Sequence, residues 1–252
     1  RMGCINRDEN AVNNMIKMFA QNLNRAVIPQ ITKSYSGGNT DRTMQLVIYS
    51  SKYSFFLMLL PAIPILLETK YIMTLWLKDV PDYTVIFVQV MIINALIQIM
   101  NSSIPAAVQA TGKIKYFQII LSTITLLALP VAYFLFKAGY EPYYMPLTFT
   151  SVSLLTLVVR QILLKRLIQF NVKEFMTKAY LRMMLVTIPV LPLFAAKLII
   201  EESLFRFAGL TMLSIFWILI LIYLVGMEKT EREIIQIQLK QKLANVRLKR
   251  HK

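Results

Sequence analysis

The sequence predicts an all-α polytopic membrane protein, and three observations lead to this fold class. Hydrophobic residues make up 56% of the 252 residues and charged residues only 16%, so the chain is more apolar than an ordinary soluble domain. Stretches of roughly 18 or more mostly apolar residues recur, the length that a helix needs to cross a bilayer core. The formal net charge of +15 lies in the short connections and the tail, a distribution typical of membrane topology and not of a nucleic-acid-binding face.

Six hydrophobic runs predict the membrane-crossing helices. They cover about residues 45–67, 83–108, 116–136, 143–164, 181–200 and 205–226. Before them, apolar and polar residues alternate with helical period over about 10–33. We therefore expect three regions: residues 1–44 as an amphipathic, membrane-spanning helix with a cytoplasmic loop, 45–226 as a six-helix bundle, and 227–252 as a basic, amphipathic cytoplasmic tail that contacts membrane lipids.

Lysine and arginine in the connections predict the orientation, because positive residues resist translocation. The connections at 33–42, 113–115 and 165–182 are rich in basic residues, whereas acids match or outnumber bases in 68–82, 137–141 and 197–206. The alternation predicts an N-terminus outside and a C-terminus in the cytoplasm.

Prolines inside apolar runs predict kinks, because each removes a backbone donor that lipid cannot replace. They are Pro61, Pro64, Pro105, Pro130, Pro189 and Pro192. Two interpretations stay open, hinges in a transporter of bent helices and packing kinks without a mechanical role.

Polar side chains recur along the second span. Asn94, Gln98 and Asn101, followed by Pro105 and Gln109, have spacings of 3 or 4 and fall on one face of a continuous helix. Burying unpaired amides in hydrocarbon is costly, so this face is predicted to avoid lipid. It forms either the wall of a water-filled cavity, which we favour, or a set of interhelical hydrogen bonds.

Cationic residues supply two further candidate contacts for a substrate. Arg160 ends a polar stripe in the fourth span, where it lines a cavity or reaches the cytoplasmic interface. In the first segment, Lys17, Gln21 and Asn24 share a face and Arg25 lies beside it. Cations pair with phosphate and amides bind hydroxyls, which suits a phosphorylated glycolipid, whereas the alternative is an interfacial helix with solvated charges.

The sequence contains no visible apparatus for catalysis. Cys4 and His251 are the only cysteine and histidine, so neither a disulfide framework nor a Cys/His metal site can form. No acidic residue falls centrally in the six predicted spans, and no nucleotide-binding glycine motif is present. We expect a protein that is not an enzyme, has no cofactor or metal, and does not couple transport to an ion through these helices.

Five phrases carry a resemblance to a known family. They are AVIPQITKSYSGGN (26–39), SKYSFFLMLLPAIPILL (51–67), ILLETKYIMTLWLKDVPDY (65–83), FVQVMIINALI (87–97) and QATGKIKYFQ (109–118). In this order, the chain resembles the bacterial O-antigen (Wzx-type) polysaccharide flippases, a family within the superfamily that also holds the MATE-type exporters. The resemblance covers about residues 10–180. It implies that this chain is the C-terminal part of a two-lobe transporter, and that its expected partner is the N-terminal lobe, which is missing here.

The resemblance implies a function as well as a fold. Such flippases move an undecaprenyl-diphosphate-linked oligosaccharide to the outer leaflet by alternating access, for lipopolysaccharide, O-antigen or capsule biosynthesis. Expected partners are this lipid-linked substrate and a polysaccharide polymerase or glycosyltransferases. Two alternatives remain: a cation-coupled multidrug exporter of the same superfamily, and a non-transporting membrane scaffold for glycan assembly.

Overall fold

The computed structural model describes residues 26–77, 80–168, 171–199, 202–233 and residue 237. The described residues contain helices, turns and bends, and no strand. The α-helices are α1 (26–36), α2 (Thr40–Leu67), α3 (Thr69–Leu77), α4 (Thr84–Ile99), α5 (Ile104–Ala110), α6 (Ile114–Leu126), α7 (Ala128–Lys137), α8 (Tyr144–Ile168), α9 (Val172–Phe175), α10 (Leu181–Thr187), α11 (Pro192–Ile199), α12 (Leu204–Leu221) and α13 (229–233). Two π-helical segments, Met176–Tyr180 and Ile222–Gly226, and a 3-10 turn, Ile188–Val190, connect or extend them.

Six helical segments of the described chain are long and apolar enough to cross a membrane. They are Thr40–Leu67, Thr84–Ala110, Ile114–Lys137, Tyr144–Leu167, Val172–Ala195 and Leu204–Gly226, called spans 1 to 6 below. The predicted class, an all-α polytopic membrane protein, is therefore confirmed, and five of the six spans lie within a few residues of their predicted bounds.

The fifth span differs from the prediction, which assigned its first residues to a cytoplasmic connection. The helix begins at Val172 instead of about residue 181. Two contacts stabilise its charged first turns: Lys178 pairs with Glu174 of the same span at 2.7 Å, and the Arg182 guanidinium donates to the Val225 carbonyl of span 6 at 2.8 Å. The i,i+4 ion pair and the hydrogen bond from Arg182 to the Val225 carbonyl give these charged residues partners, so the segment is compatible with a helix.

Proline positions coincide with most of the helix interruptions. Span 2 breaks into α4 and α5 just before Pro105, span 3 is interrupted at Leu127 ahead of Pro130, and span 5 passes through the 3-10 turn that contains Pro189 before α11 starts at Pro192. Proline cannot donate to the carbonyl four residues earlier, so the regular helix ends there. By contrast, α2 continues through Pro61 and Pro64. The predicted role of all six prolines as hinges stays a prediction.

The core of the bundle is built around span 1. Of its most apolar 18 residues, 67% are buried, against 17% in each of spans 3 and 4. Helix α2 packs against α4 and α12. Spans 3 and 4 leave large apolar side chains such as Leu126, Phe134 and Leu155 exposed, as expected of helices that face lipid or another lobe. Spans 3 and 4 therefore form the periphery of the described bundle.

Two buried ion pairs join span 1 to span 6 and to the helix that follows it. Arg206, at the start of α12, pairs with Glu68 at 2.7 Å, and Lys52 pairs with Glu231 of α13 at 2.7 Å. Glu68 follows the last residue of α2 and Lys52 lies in its first half. Span 1 and span 6 are thus antiparallel neighbours held by charge as well as by apolar packing.

Candidate functional site

A cavity of about 430 Å³ lies between spans 2, 3 and 4. It is lined by Pro105 from α5, by Phe117, Gln118, Leu121, Ser122, Thr125 and Leu126 from α6, by Leu129 from α7, and by Phe149 and Arg160 from α8. The stretch from Phe117 to Leu129 covers about 18 Å of helix rise, so the cavity is an elongated groove along span 3. Its position beside the two least buried spans makes it reachable from the membrane.

Arg160 is the one charged residue among the residues that line this cavity. It is half-buried, and its Nε is buried without a hydrogen-bond partner among the described residues. It lies about 24 Å of helix rise from Tyr144 and about 12 Å from Ile168, so its Cα is well inside span 4. Within the described part of the chain, no carboxylate lies at ion-pair distance from this guanidinium.

One wall of the cavity carries polar side chains that sequence reasoning missed. Gln118, Ser122 and Thr125 have spacings of 4 and 3 and so share one face of α6, and the Gln118 amide donates to the Ser122 hydroxyl at 3.1 Å. Their spacing is readable from the sequence and could have identified the stripe. The apolar residues around them include Phe117 and Leu121, so the groove combines one cation, a polar strip and an apolar surface.

A hydrogen-bond network lies next to Arg160 in the sequence. The Gln161 amide donates to the Asn101 Oδ1 at 3.1 Å and to the Tyr180 hydroxyl at 2.7 Å, and the Tyr180 hydroxyl also donates to the Asn101 Oδ1. All three side chains are buried. The network joins spans 2, 4 and 5, and so fixes the part of α8 from which Arg160 projects.

The polar residues of span 2 do not form the single continuous face that the sequence predicts. Residues 100–103 form a turn between α4 and α5, because Pro105 cannot donate to the Asn101 carbonyl as a continuous helix requires. Asn94 is buried, Gln98 is exposed and donates to Asn94 at 3.4 Å, and Asn101 bonds to spans 4 and 5. Asn101 thus has the interhelical role that was the alternative to a cavity wall.

The predicted site residues are therefore only partly brought together. Arg160 and Pro105 line the cavity, and Asn101 supports it through Gln161. Asn94 and Gln98 are not among the residues that line it. Lys17, Gln21, Asn24 and Arg25 lie outside the described residues, so their predicted contact with a phosphate stays a prediction.

A second charged centre was missed at the sequence level. Lys52 is fully buried, its Nζ lies 2.7 and 2.8 Å from the two carboxylate oxygens of Glu231, and it is 5.3 and 5.1 Å from the ring centroids of Tyr49 and Tyr53. Glu231 also accepts a hydrogen bond from the Glu228 backbone N–H at 2.6 Å. A lysine inside an apolar run was itself a signal, since an ionisable residue at membrane depth is a functional or structural site by default.

Comparisons with known proteins identify no relative. No protein-family model, curated protein or solved structure matches the chain.

The chemistry of the cavity follows from its lining. A guanidinium presents donors in a planar fork that fits two phosphate oxygens at once, and amide and hydroxyl groups exchange hydrogen bonds with sugar hydroxyls or water. No group of three or more His, Cys, Asp or Glu side chains that could hold a metal occurs in the described part of the chain. The groove is thus suited to an amphiphile with an anionic headgroup.

Proposed function

We propose that this chain is part of a membrane flippase that moves an undecaprenyl-diphosphate-linked oligosaccharide across the bacterial cytoplasmic membrane, as its resemblance to the Wzx-type family implies. The observation that carries the proposal is the position of Arg160. It lines a groove between lipid-facing spans and has no acidic partner within the described residues. By the positive-inside orientation, Arg160 lies nearer to the cytoplasmic end of span 4, the side on which the substrate is assembled.

The energetics favour an anionic ligand at this arginine. An arginine costs about 2.5–3.5 kcal/mol at the centre of a transmembrane helix and less towards an end, where Arg160 lies, and a phosphate that accepts two charge-assisted hydrogen bonds offsets an amount of that order. The apolar part of the groove accommodates prenyl chain, and the strip of Gln118, Ser122 and Thr125 faces polar headgroup atoms. A drug exporter for organic cations is not favoured by a cationic cavity.

Substitution of Arg160 in the complete gene of the parent organism tests this function. Arg160→Gln should reduce export about 10- to 150-fold, the equivalent of losing a charge-assisted interaction worth about 1.5–3 kcal/mol, while Arg160→Lys should retain part of it because lysine keeps the charge but not the planar fork. The measurements are the amount of lipid-linked oligosaccharide on the cytoplasmic face, the amount of surface glycan, and the abundance of the protein in membranes.

A matched control lies on the same helix. Arg166→Gln removes an exposed arginine near the end of α8 that does not line the cavity, and should leave export unchanged. Normal export by Arg160→Gln at normal abundance would remove this arginine from the mechanism, and is the result that a non-transporting scaffold predicts. Normal glycan export with altered drug resistance after deletion of the gene would favour the multidrug exporter.

A further inference from the structure

Four tyrosines converge at the end of the bundle where the α3–α4 connection meets the α7–α8 connection. We call Tyr83, Tyr140, Tyr143 and Tyr144 the tyrosine platform. Tyr143 and Tyr144 stack with centroids 4.7 Å apart, Tyr83 lies 5.5 Å from Tyr143, and Tyr140 meets Tyr144 edge-on at 5.0 Å. The rings of Tyr83 and Tyr140 remain 41% and 50% exposed. The platform is therefore a continuous aromatic surface that is open to a ligand.

The backbone at Tyr83 is held in an unfavourable conformation. Its φ is 69°, and among the described residues it is the one non-glycine residue with a positive φ. Bulky residues avoid this left-handed region, and such strain persists only where the surroundings enforce it. The strained turn points the Tyr83 ring towards Tyr143, so the connection is shaped to complete the aromatic surface.

The carboxylate of Glu141 directly follows Tyr140 in the sequence. Hydrogen bonding to Glu141, together with its negative charge, raises the pKa of Tyr83. The pKa of Tyr143 is raised to about 12, first by its hydrogen bond with Tyr144 and further by the nearby Glu141. Glu141 itself is exposed. A pyranose ring offers an apolar C–H face, which stacks on aromatic rings, and a rim of hydroxyl groups, which donate to a carboxylate. The platform and Glu141 provide both kinds of partner.

Helix α8 contributes residues to both the platform and the groove. Phe149, which lines the groove, lies five positions after Tyr144 on α8, about 7.5 Å of helix rise. Arg160 lies eleven positions further along the same helix, about 16 Å away. Along α8, the platform thus lies beyond one end of the groove, and Arg160 lies nearer to the other end.

We propose that the tyrosine platform binds the sugar rings of the translocated glycan on the outer side of the membrane, an inference that rests on the proposed function. Stacking on C–H faces and hydrogen bonding to Glu141 together recognise a neutral or cationic oligosaccharide. Ordinary interfacial tyrosines need only an apolar body in lipid and a hydroxyl group in water. That role requires neither a chain of ring–ring contacts nor a tyrosine with positive φ.

Site-specific photocrosslinking tests this placement in the complete protein in the parent organism. A benzophenone amino acid replaces Tyr140 in the platform, Ser122 in the groove, or Tyr133, a 62% exposed tyrosine on α7 that belongs to neither. The probe is the cell's own prenyl-linked glycan, labelled by growth on a tritiated sugar. We expect the label on the protein after irradiation at positions 140 and 122, and not at position 133.

The outcomes separate the platform from the proposed function. Labelling at 122 without 140 would overturn the platform and leave the flippase proposal standing, whereas labelling at neither would overturn both. Labelling at 133 as strong as at 140 would indicate that the platform is an ordinary interfacial aromatic belt, and would overturn the proposal.

A substitution that keeps the backbone provides the second measurement. Tyr83→Gly removes the ring but tolerates the observed φ, so the turn is preserved. It should lower crosslinking at position 140 about two- to tenfold, the equivalent of one aromatic contact, and leave crosslinking at 122 unchanged. Unchanged crosslinking at 140 would overturn a contribution of this ring.

Discussion

The buried pair of Lys52 and Glu231 should dominate the stability of the contact between span 1 and the segment after span 6. Lys52 is completely buried and bonds to both carboxylate oxygens of Glu231, whose side chain is 10% exposed. We consider Lys52→Met, which keeps the length and the apolar stem but removes the charge. The substitution leaves the Glu231 carboxylate inside the bundle without its cation.

The expected loss of unfolding free energy depends on the interactions that Glu231 keeps in Lys52→Met. Removing one partner of a buried ion pair costs about 3–5 kcal/mol, because the other charge is left uncompensated. Glu231 keeps the hydrogen bond from the Glu228 N–H and is close to solvent, so the lower end applies. A cost of about 3 kcal/mol corresponds to about a 150-fold change in the unfolding equilibrium. Replacing both residues, as Lys52→Met with Glu231→Gln, should be nearly neutral, because neither charge is then buried.

The assay is the free energy of unfolding in detergent micelles, measured for the parent protein, both single variants and the double variant. Lys70→Met is the matched control: Lys70 pairs with Glu202 at 3.3 Å, but the side chains are 63% and 44% exposed, so it should cost less than about 1 kcal/mol. A Lys52→Met penalty no larger than that of the control would refute the argument. So would a double variant as unstable as the sum of the two single variants.

Two further substitutions test the packing around the site. Asn101→Ala should lower the unfolding free energy by about 1–3 kcal/mol, because the buried Gln161 and Tyr180 side chains lose an acceptor. Tyr180→Phe should lower it by less, and equal effects of the two substitutions would contradict this. Gly226→Ala should cost about 1–3 kcal/mol, because its Cβ would lie 2.9 Å from two ring carbons of Phe56. Phe56→Leu in the same chain should reduce that penalty, and a penalty unchanged by it would rule out the clash.

The fold class was predictable because the bilayer sets it directly. A helix needs about 20 apolar residues to cross, and no information about neighbouring helices is required to recognise such a run. The fifth span was placed too late because its first turns are charged. Their compatibility with a helix depends on the contact of Arg182 with the Val225 carbonyl, 43 residues away, which no local pattern contains.

The polar residues show where sequence reasoning fails. The spacing of Asn94, Gln98 and Asn101 places them on one face only if the helix is continuous. Pro105 is a helix-breaking signal and indicates that the helix is interrupted. Gln161 bonds to Asn101, 60 residues away, and that partner cannot be read from either segment alone. By contrast, the strip of Gln118, Ser122 and Thr125 has ordinary helical spacing and was predictable.

Glu231 is a buried acidic residue that lies outside the six predicted spans and that the sequence analysis did not single out. No carboxylate falls within the apolar runs, and the prediction treated the segment after residue 226 as a basic tail. The described part of that segment instead turns at Met227, forms α13 and packs Glu231 against span 1, 179 residues away in sequence. Because this carboxylate is neutralised by Lys52, its presence alone does not supply an ion-coupling site.

Charge balance within the described bundle sets Arg160 apart from the other buried cations. Lys52 has Glu231 and Arg206 has Glu68, so in both pairs the fold supplies a carboxylate where it buries a cation. Arg160 has no such partner in the described chain, although it is half-buried and its Nε is enclosed. A cation whose role was only to stabilise the bundle would be expected to have the same kind of partner as the other two. Under the proposed function, an anionic headgroup that enters the groove is expected to supply this charge, and a diphosphate offers the geometry that a guanidinium binds best.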